Sequence, residues 1–437
     1  MEEDLIEEGE SNTGAEVAPA LIAVHPLEQF IAVAVGSELR VFDLKGDCPV
    51  CLSDDSGGPS HSDSVRDITF GANGNLFASA GDDKLVKIWK TGSWTCIRTV
   101  CAEKRVSAIA ISNDGQFVTF ADKFGVVWLV RLGEDGDGHA SVDNRAVPVL
   151  GHYCSIITSM KFSPDGQFIA TADRDFKIRI TSFPKQPLNG AHEIQSFCLG
   201  HTDFVSCLTF ACPSAHIEGF LLSGSGDSTV RLWDFINGRL LDTCEVGAKS
   251  GLLQLDEIKE SNPAVTDICA SRNGSLVAVT VQSLNGVILL SCDFSAKTLS
   301  IAKVLTMEKS YIPTSLGLSL SAERLWTMMG ASDSPTSGCT RLLTRVKIVS
   351  GFCRDSSAFH SHDPVVLMDD EVPGGEKLLL QLQGSVDVAE QEAMLASAAA
   401  ALRVSMHNML IKKQYSVEKR ELRKRSRNDK KLNNKPC

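Results

Sequence analysis

At 437 residues, with 43% apolar and 22% charged side chains, the chain has the make-up of an ordinary globular protein able to bury a large core. No stretch reaches the roughly 18 apolar residues of a membrane helix, and the acidic start is unlike a secretory leader, so an intracellular protein with no membrane partner is expected. The net charge of −11 is uneven: residues 1–16 hold seven acidic side chains and no basic one, whereas 412–437 hold a basic surplus of eight, leaving −19 on 1–411. An acidic body with a basic tail points to an anionic partner for the tail.

Residues 1–18 lack apolar periodicity and read as a disordered acidic arm. Strands begin at Leu21, and a first unit of three is followed by a Ser/Asp/Gly-rich loop over 53–64. Further units open at Val65, Val106, Ile157, Val205, Val265 and Pro313, at intervals of 41, 51, 48, 60 and 48 residues. Inside them lie the pairs Asn73-Gly74, Asp114-Gly115, Asp165-Gly166 and Asn273-Gly274, which suit hairpin turns needing positive φ. Three six-residue steps recur, from Asp83 to Trp89, Asp122 to Trp128 and Asp227 to Trp233. Self-similarity at this period predicts an all-β, seven-bladed propeller over 19–372, because one small sheet cannot bury both its faces and a ring of them can. Units six and seven lack the Asp and Trp landmarks.

The Pro373-Gly374-Gly375 break opens an expected linker, 373–386. From 387 to 411 the composition turns to helix formers, and Leu395, Leu402 and Met409 recur every seven residues, so an amphipathic helix is predicted. The basic tail, 412–437, carries Lys412, Lys413, Lys419, Arg420, Arg423, Lys424, Arg425, Arg427, Lys430 and Lys431. Three readings stand for it: a nuclear-import signal, which would place the protein in the nucleus, a contact with RNA phosphate, or a solvated charge run. Tyr415 is its sole ring for base stacking, which argues against sequence-specific readout there.

Catalytic and metal chemistry find little support. Fourteen cysteines show no repeated spacing, and Cys198, Cys207 and Cys269 fall in apolar strand patterns where a free thiol acts as a small hydrophobe. The lone C-x-x-C, Cys48 to Cys51, has no second ligand pair for zinc, so no metal is expected. The glycine-rich Gly133-Glu134-Asp135-Gly136-Asp137-Gly138 lies between units and is acidic, a poor cradle for phosphate. No nucleotide-binding loop or nucleophile set can be placed, and the chain is not expected to be an enzyme or to hold a cofactor of its own.

The dipeptides Gly151-His152 and Gly200-His201, the turn aspartates and the closing tryptophans, with one intact Trp233-Asp234 pair, resemble the WD-repeat propellers. That family joins His, turn Asp and Trp in a structural network within a blade; His201, Asp227 and Trp233 match it in full, and blade four keeps His152 and Asp175 but has Thr181 in place of Trp. More specific are two phrases, Thr171-Ala172-Asp173-Arg174-Asp175-Phe176-Lys177-Ile178-Arg179 and Ser196-Phe197-Cys198-Leu199-Gly200-His201-Thr202-Asp203-Phe204-Val205-Ser206. They closely resemble the non-catalytic WD-repeat subunit of the tRNA guanine-N7 methyltransferase.

That resemblance implies a heterodimer in which a separate catalytic subunit holds S-adenosylmethionine and methylates the guanosine of the tRNA variable loop. This chain would dock on it and stabilise it through Asp173, Arg174, Asp175, Lys177 and Arg179; tRNA would be met indirectly or through the tail. The family often carries an acidic residue where Phe176 stands, which leaves one ion pair absent or replaced by an apolar contact. From the residues alone, Arg179 aligns with Lys87 and Arg231 and is equally an ordinary surface position, whereas Lys177 aligns with Leu85 and Thr229. Asp175 reads first as the blade's turn aspartate, and Arg174 as a fork held between two aspartates. The alternatives are a ubiquitin-ligase substrate receptor, which would want Arg or Lys where Ile236 stands, and a chromatin-binding scaffold compatible with the basic tail.

Overall fold

The computed structural model describes residues 19–383, apart from 55–57, 59, 133–145, 153–154, 192, 214–218, 248–262, 283, 309, 319–323, 332–343 and 353–362. The expected acidic arm, the helix over 387–411 and the basic tail lie outside the described residues. Seven four-stranded antiparallel sheets follow one another along the chain, each made of four consecutive strands. Their first strands, Leu21–Val24, Val65–Gly71, Val106–Ile111, Ile157–Phe162, Val205–Ala211, Val265–Ala270 and Tyr311–Leu318, pack against each other in sequence order and then first against last, forming the inner wall of a ring. The all-β, seven-bladed propeller read from the repeats is therefore the fold, and units six and seven are blades despite their missing landmarks.

Three of the four Asp-Gly and Asn-Gly turns share one construction, whereas Asn73-Gly74 lies in a 3-10 turn, Ala72–Gly74, with Asn73 itself at φ 56°. In blade three the Ser112 hydroxyl donates to Asp114, and Asp114 accepts the Gln116 N–H while the Ser112 oxygen accepts that of Phe117. Ser163 with Asp165 and Ser271 with Asn273 repeat it in blades four and six. The glycine that follows has φ near +71° in each, a region costly for a side chain with a Cβ.

Among the described residues the seven largest apolar clusters lie one in each gap between neighbouring blades. Val86, Ile88 and Val100 of blade two meet Ile109, Val118 and Phe120 of blade three, and Ile178 and Ile180 of blade four meet Leu208, Leu221 and Trp233 of blade five. Hydrogen bonds stitch the inner wall: Asp67 accepts the Ile109 N–H at 2.8 Å, Ser159 accepts that of Leu208, Asp267 that of Leu316, and Ser315 that of Ile22. The buried Cys198 and Cys207 belong to these clusters, and burial pushes the Cys198 thiol up to about 12.

Among the described residues no strand is exchanged between the first and last blades, so the ring needs another closure. The stretch read as a linker provides it, and here the structure corrects the expectation. Residues Gly375–Gln383 form a helix, α1, whose Leu378, Leu379 and Leu382 are buried with Phe42 of blade one and Val346 and Ile348 of blade seven. The Gln383 carboxamide oxygen accepts the Val346 N–H, and Arg40 donates to the Leu382 carbonyl, so α1 is hydrogen-bonded to both sides of the seam. The outer strand of blade seven is only Val365–Val366, and α1 covers the edge it leaves open. The Pro-Gly-Gly break masked this helix because it has just one apolar repeat.

Two expectations follow. Leu382→Ala should lower stability by about 2–5 kcal/mol, measured by urea denaturation, because it leaves a cavity at the seam. The second concerns the inner wall, where Asp67, Asp267 and Lys161 are close enough to feel one another's charge. Burial pushes the Asp67 carboxyl up to about 6, with Lys161 and two backbone N–H groups opposing. A carboxyl that protonates more readily folded than unfolded stabilises the fold as pH drops below that value. The melting temperature of wild type minus that of Asp67→Asn should therefore grow as pH falls from about 7.5 to about 5.

Candidate partner-docking site

The buried polar networks decide which of the predicted side chains remain available to a partner. In blade five, Trp233 Nε1 donates to Ser223 Oγ at 2.8 Å, Ser223 lies 2.7 Å from His201 Nε2, and His201 Nδ1 lies 2.9 Å from Asp227. Burial lowers the His201 pKa, and a neutral ring donating through Nδ1 and accepting at Nε2 satisfies every member. Burial alone would raise the Asp227 carboxyl, but the His201 bond, with Thr229 and the Thr202 N–H, holds it below the ordinary range.

Blade two repeats the arrangement with Trp89, Ser79, His61 and Asp83. His61 was not singled out in the sequence because no glycine precedes it and it falls in the stretch read as loop. Its signal is positional: it stands four residues before Val65, as His201 stands four before Val205.

Blades three and four depart from the expected pattern. His152 Nδ1 is 2.8 Å from Asp173, not from Asp175, and its Nε2 is 2.7 Å from Thr171 Oγ1. Asp122 occupies the same strand position as Asp173; it accepts the Phe124 and Val126 N–H groups and Trp128 Nε1 at 2.9 Å. By strand pairing, Val130 takes the place of Trp89 and Trp233, whereas Trp128, half-buried, stands where the other blades have Lys87, Arg179 and Arg231. The six-residue step from Asp122 to Trp128 is thus the same spacing slid by two. Strand periodicity hides the slip, since residues i and i+2 share a face.

This removes Asp173 from the candidate contacts. It is buried, and its carboxylate is taken by His152 and the N–H groups of Asp175 and Lys177. Its neighbour Arg174 is half-buried and gives its backbone N–H to the Ile156 carbonyl. Asp175 and Phe176 form the tip of the same turn, with Phe176 in the left-handed region at φ 68°, where Lys84 and Ser228 sit in blades two and five. Lys177 is exposed and Arg179 half-buried on the third strand, Lys177–Ser182, with Ile178 and Ile180 turned into the core.

Arg179 differs from its counterparts in what it meets. Lys87 is buried and pairs with Asp54 at 2.5 Å, and Arg231 lies 3.7 Å from Asp227. Arg179 donates at 2.9 Å to the Gly151 carbonyl of blade three and at 3.2 Å to Thr181 Oγ1; among the described residues no carboxylate pairs with it. Burial pulls its pKa down, the mark of a guanidinium losing water without gaining an anion.

Apolar neighbours missed in the sequence complete the surface. The outer strand Ile194–Leu199 pairs Phe197 with Arg179 and Leu199 with Lys177, and directly paired residues share a face. Phe197 is 43% and Leu199 58% exposed, whereas Cys198 and Ser196 turn toward blade five. Two cations beside two exposed apolar side chains make a surface suited to an acidic, partly apolar protein face. Their alternation with buried residues could have flagged Phe197 and Leu199. Among the described residues no group of three or more His, Cys, Asp or Glu is arranged to hold a metal, and Cys48 and Cys51 are exposed free thiols.

Seven four-stranded blades, two of them carrying the full His-Ser-Trp-Asp network, define a WD-repeat propeller. The solved structure described as U3-55K superposes with a TM-score of 0.58 at 20% identity, over 73% of this chain and 89% of that one, and that described as RRP9 WD40 repeats with 0.57. The family model described as tRNA methyltransferase TRM82 WD40 domain matches residues 139–341, and the WD domain, G-beta repeat model matches 57–90. A Xenopus laevis protein named tRNA (guanine-N(7)-)-methyltransferase non-catalytic subunit wdr4 is 32% identical over 73% of this chain and 77% of its own length. Similarly named proteins of Mus musculus and Dictyostelium discoideum are 34% and 31% identical, and the matched region spans 61% and 51% of their lengths. The chain belongs to this family of WD-repeat non-catalytic subunits.

The buried acceptor of the blade-four turn should be sensitive to mutation. Asp173→Ala leaves His152 and two N–H groups without their acceptor and should cost at least about 2 kcal/mol of stability in urea denaturation. The conservative Asp173→Asn, which keeps an acceptor oxygen, should cost less than Asp173→Ala.

Proposed function

We propose that this chain is the non-catalytic half of a two-subunit tRNA guanine-N7 methyltransferase. It docks on a catalytic subunit that binds S-adenosylmethionine, and stabilises it for forming 7-methylguanosine in the tRNA variable loop. The names of its relatives support the coarse assignment. The observation carrying the docking surface is the state of Arg179, a partly desolvated cation that among the described residues is hydrogen-bonded only to neutral oxygens, where Lys87 and Arg231 have carboxylates. A partner carboxylate placed there would complete the set, with Lys177 offering a second cation, Asp175 an anion, and Phe197 and Leu199 an apolar flank. A preformed rigid strand pair can hold such a constellation without ordering cost.

Truncating one member of a desolvated charge pair costs about 2–5 kcal/mol of binding, at least about 30-fold in Kd. The double variant Lys177→Glu, Arg179→Leu should lose affinity for the catalytic subunit by that factor, measured calorimetrically, with an unchanged melting temperature. Equal affinity would remove blade four as the docking face.

The basic tail is proposed to add a sequence-independent contact with tRNA phosphates and to direct the protein to the nucleus. Deleting 412–437 should flatten the salt dependence of tRNA binding by the complex. An unchanged slope would leave import as the tail's role.

A further inference from the structure

Phe124 is out of place on an acidic molecule's surface: 49% exposed at the tip of a blade-three turn, with the Lys104 and Lys123 ammonium groups each 5.7 Å from its ring centre. The surroundings are basic. Lys84 and Arg105 are exposed beside these lysines, placed there by the bonds from Ala102 N to the Lys84 carbonyl and from Lys123 N to the Arg105 carbonyl. Glu103 is the one exposed anion in the same stretch, and the buried Asp82 is bound to Arg66 and lies 3.8 Å from Arg105, so Lys84, Lys104 and Lys123 carry the charge.

The turn holding the ring is stiff. Asp122 accepts the Phe124 and Val126 N–H groups. Gly125 has φ +83°, and a Cβ there would stand 2.1 Å from the Ser155 carbonyl oxygen, so only glycine fits. An exposed aromatic ring on a fixed turn loses little conformational freedom when covered, which is the condition for an interface anchor.

The position of this ring is joined to blade four by direct contacts. Gly151, whose carbonyl accepts from Arg179, is paired across strands with Val126, and Gly125 accepts the His152 N–H at 2.6 Å. Phe124 is thus one strand pairing away from Arg179.

We propose that the docking surface continues onto blade three, where Phe124 enters an apolar socket of the catalytic subunit whose rim is acidic and pairs with Lys104 and Lys123. The inference rests on the reading of blade four as the docking face. The same sign of charge on both patches calls for one continuous acidic partner surface. A nucleic acid would have to compete with two lysines for the face of a single ring.

The test uses the full chain and its catalytic subunit. Phe124→Ser should raise their Kd about tenfold with an unchanged melting temperature, and Lys104→Glu with Lys123→Glu should do at least as much. If Phe124→Ser binds like wild type while Lys177→Glu, Arg179→Leu is weakened, the extension onto blade three is wrong and the blade-four reading stands. If neither variant is weakened, both are wrong. A Phe124→Ser chain that keeps its subunit affinity but loses affinity for tRNA on its own would make this an RNA site and overturn the proposal.

Discussion

A four-stranded sheet in this ring has two faces to bury and only its two neighbours to bury them on. Everything else in the molecule follows from that constraint. It divides the core into seven gaps, requires the inner strands to touch side by side, and makes the last gap as demanding as the others although its two blades lie at opposite ends of the chain. Because no strand crosses that gap among the described residues, α1 and the inner-wall bonds between Ser315 and Ile22 and between Thr314 and Ala20 hold it. Trp326 adds to the seam, fully buried and donating to Glu28 of blade one at 2.9 Å. A ring locked in this way is rigid, and rigidity is what the proposed docking role asks of it.

The periodic part of the fold was legible because turns and strands depend on local chemistry. Asn-Gly and Asp-Gly pairs demand particular backbone angles, and alternation marks a buried face. The inner strands accordingly start at or beside the positions the repeats indicate, even in blades six and seven. What the sequence hid was of two kinds. Long-range placement cannot be read from spacing, so His61 went unseen in a segment that only the folded blade brings beneath Asp83. Degeneracy of the strand repeat concealed the rest: a two-residue slide leaves every side chain on its own face, and Asp122 with Trp128 imitates a network that blade three builds differently.

The candidate site was legible in outline. The charged phrase on blade four lies at the surface, but its members divide by burial: Asp173 serves the blade, Asp175 stands at the turn tip, and Lys177 and Arg179 face outward. Position 179 is informative only by comparison around the ring. Lys87 is neutralised by Asp54, arriving from 33 residues upstream, and Arg231 is answered by the turn aspartate of its own blade. Among the described residues blade four sets no carboxylate against Arg179. The apolar pair Phe197 and Leu199 belongs to a family phrase, yet its exposure depends on the folded blade leaving that face of the outer strand open.

The central claim is that one contiguous face of blades three and four meets the catalytic subunit. Hydrogen–deuterium exchange, comparing the chain alone with the chain bound to that subunit, tests it most directly. The account predicts new protection confined to the turn at 122–126, the segment 174–179 and the outer strand at 194–199. Protection at blades six and seven, with those three segments unchanged, would contradict it.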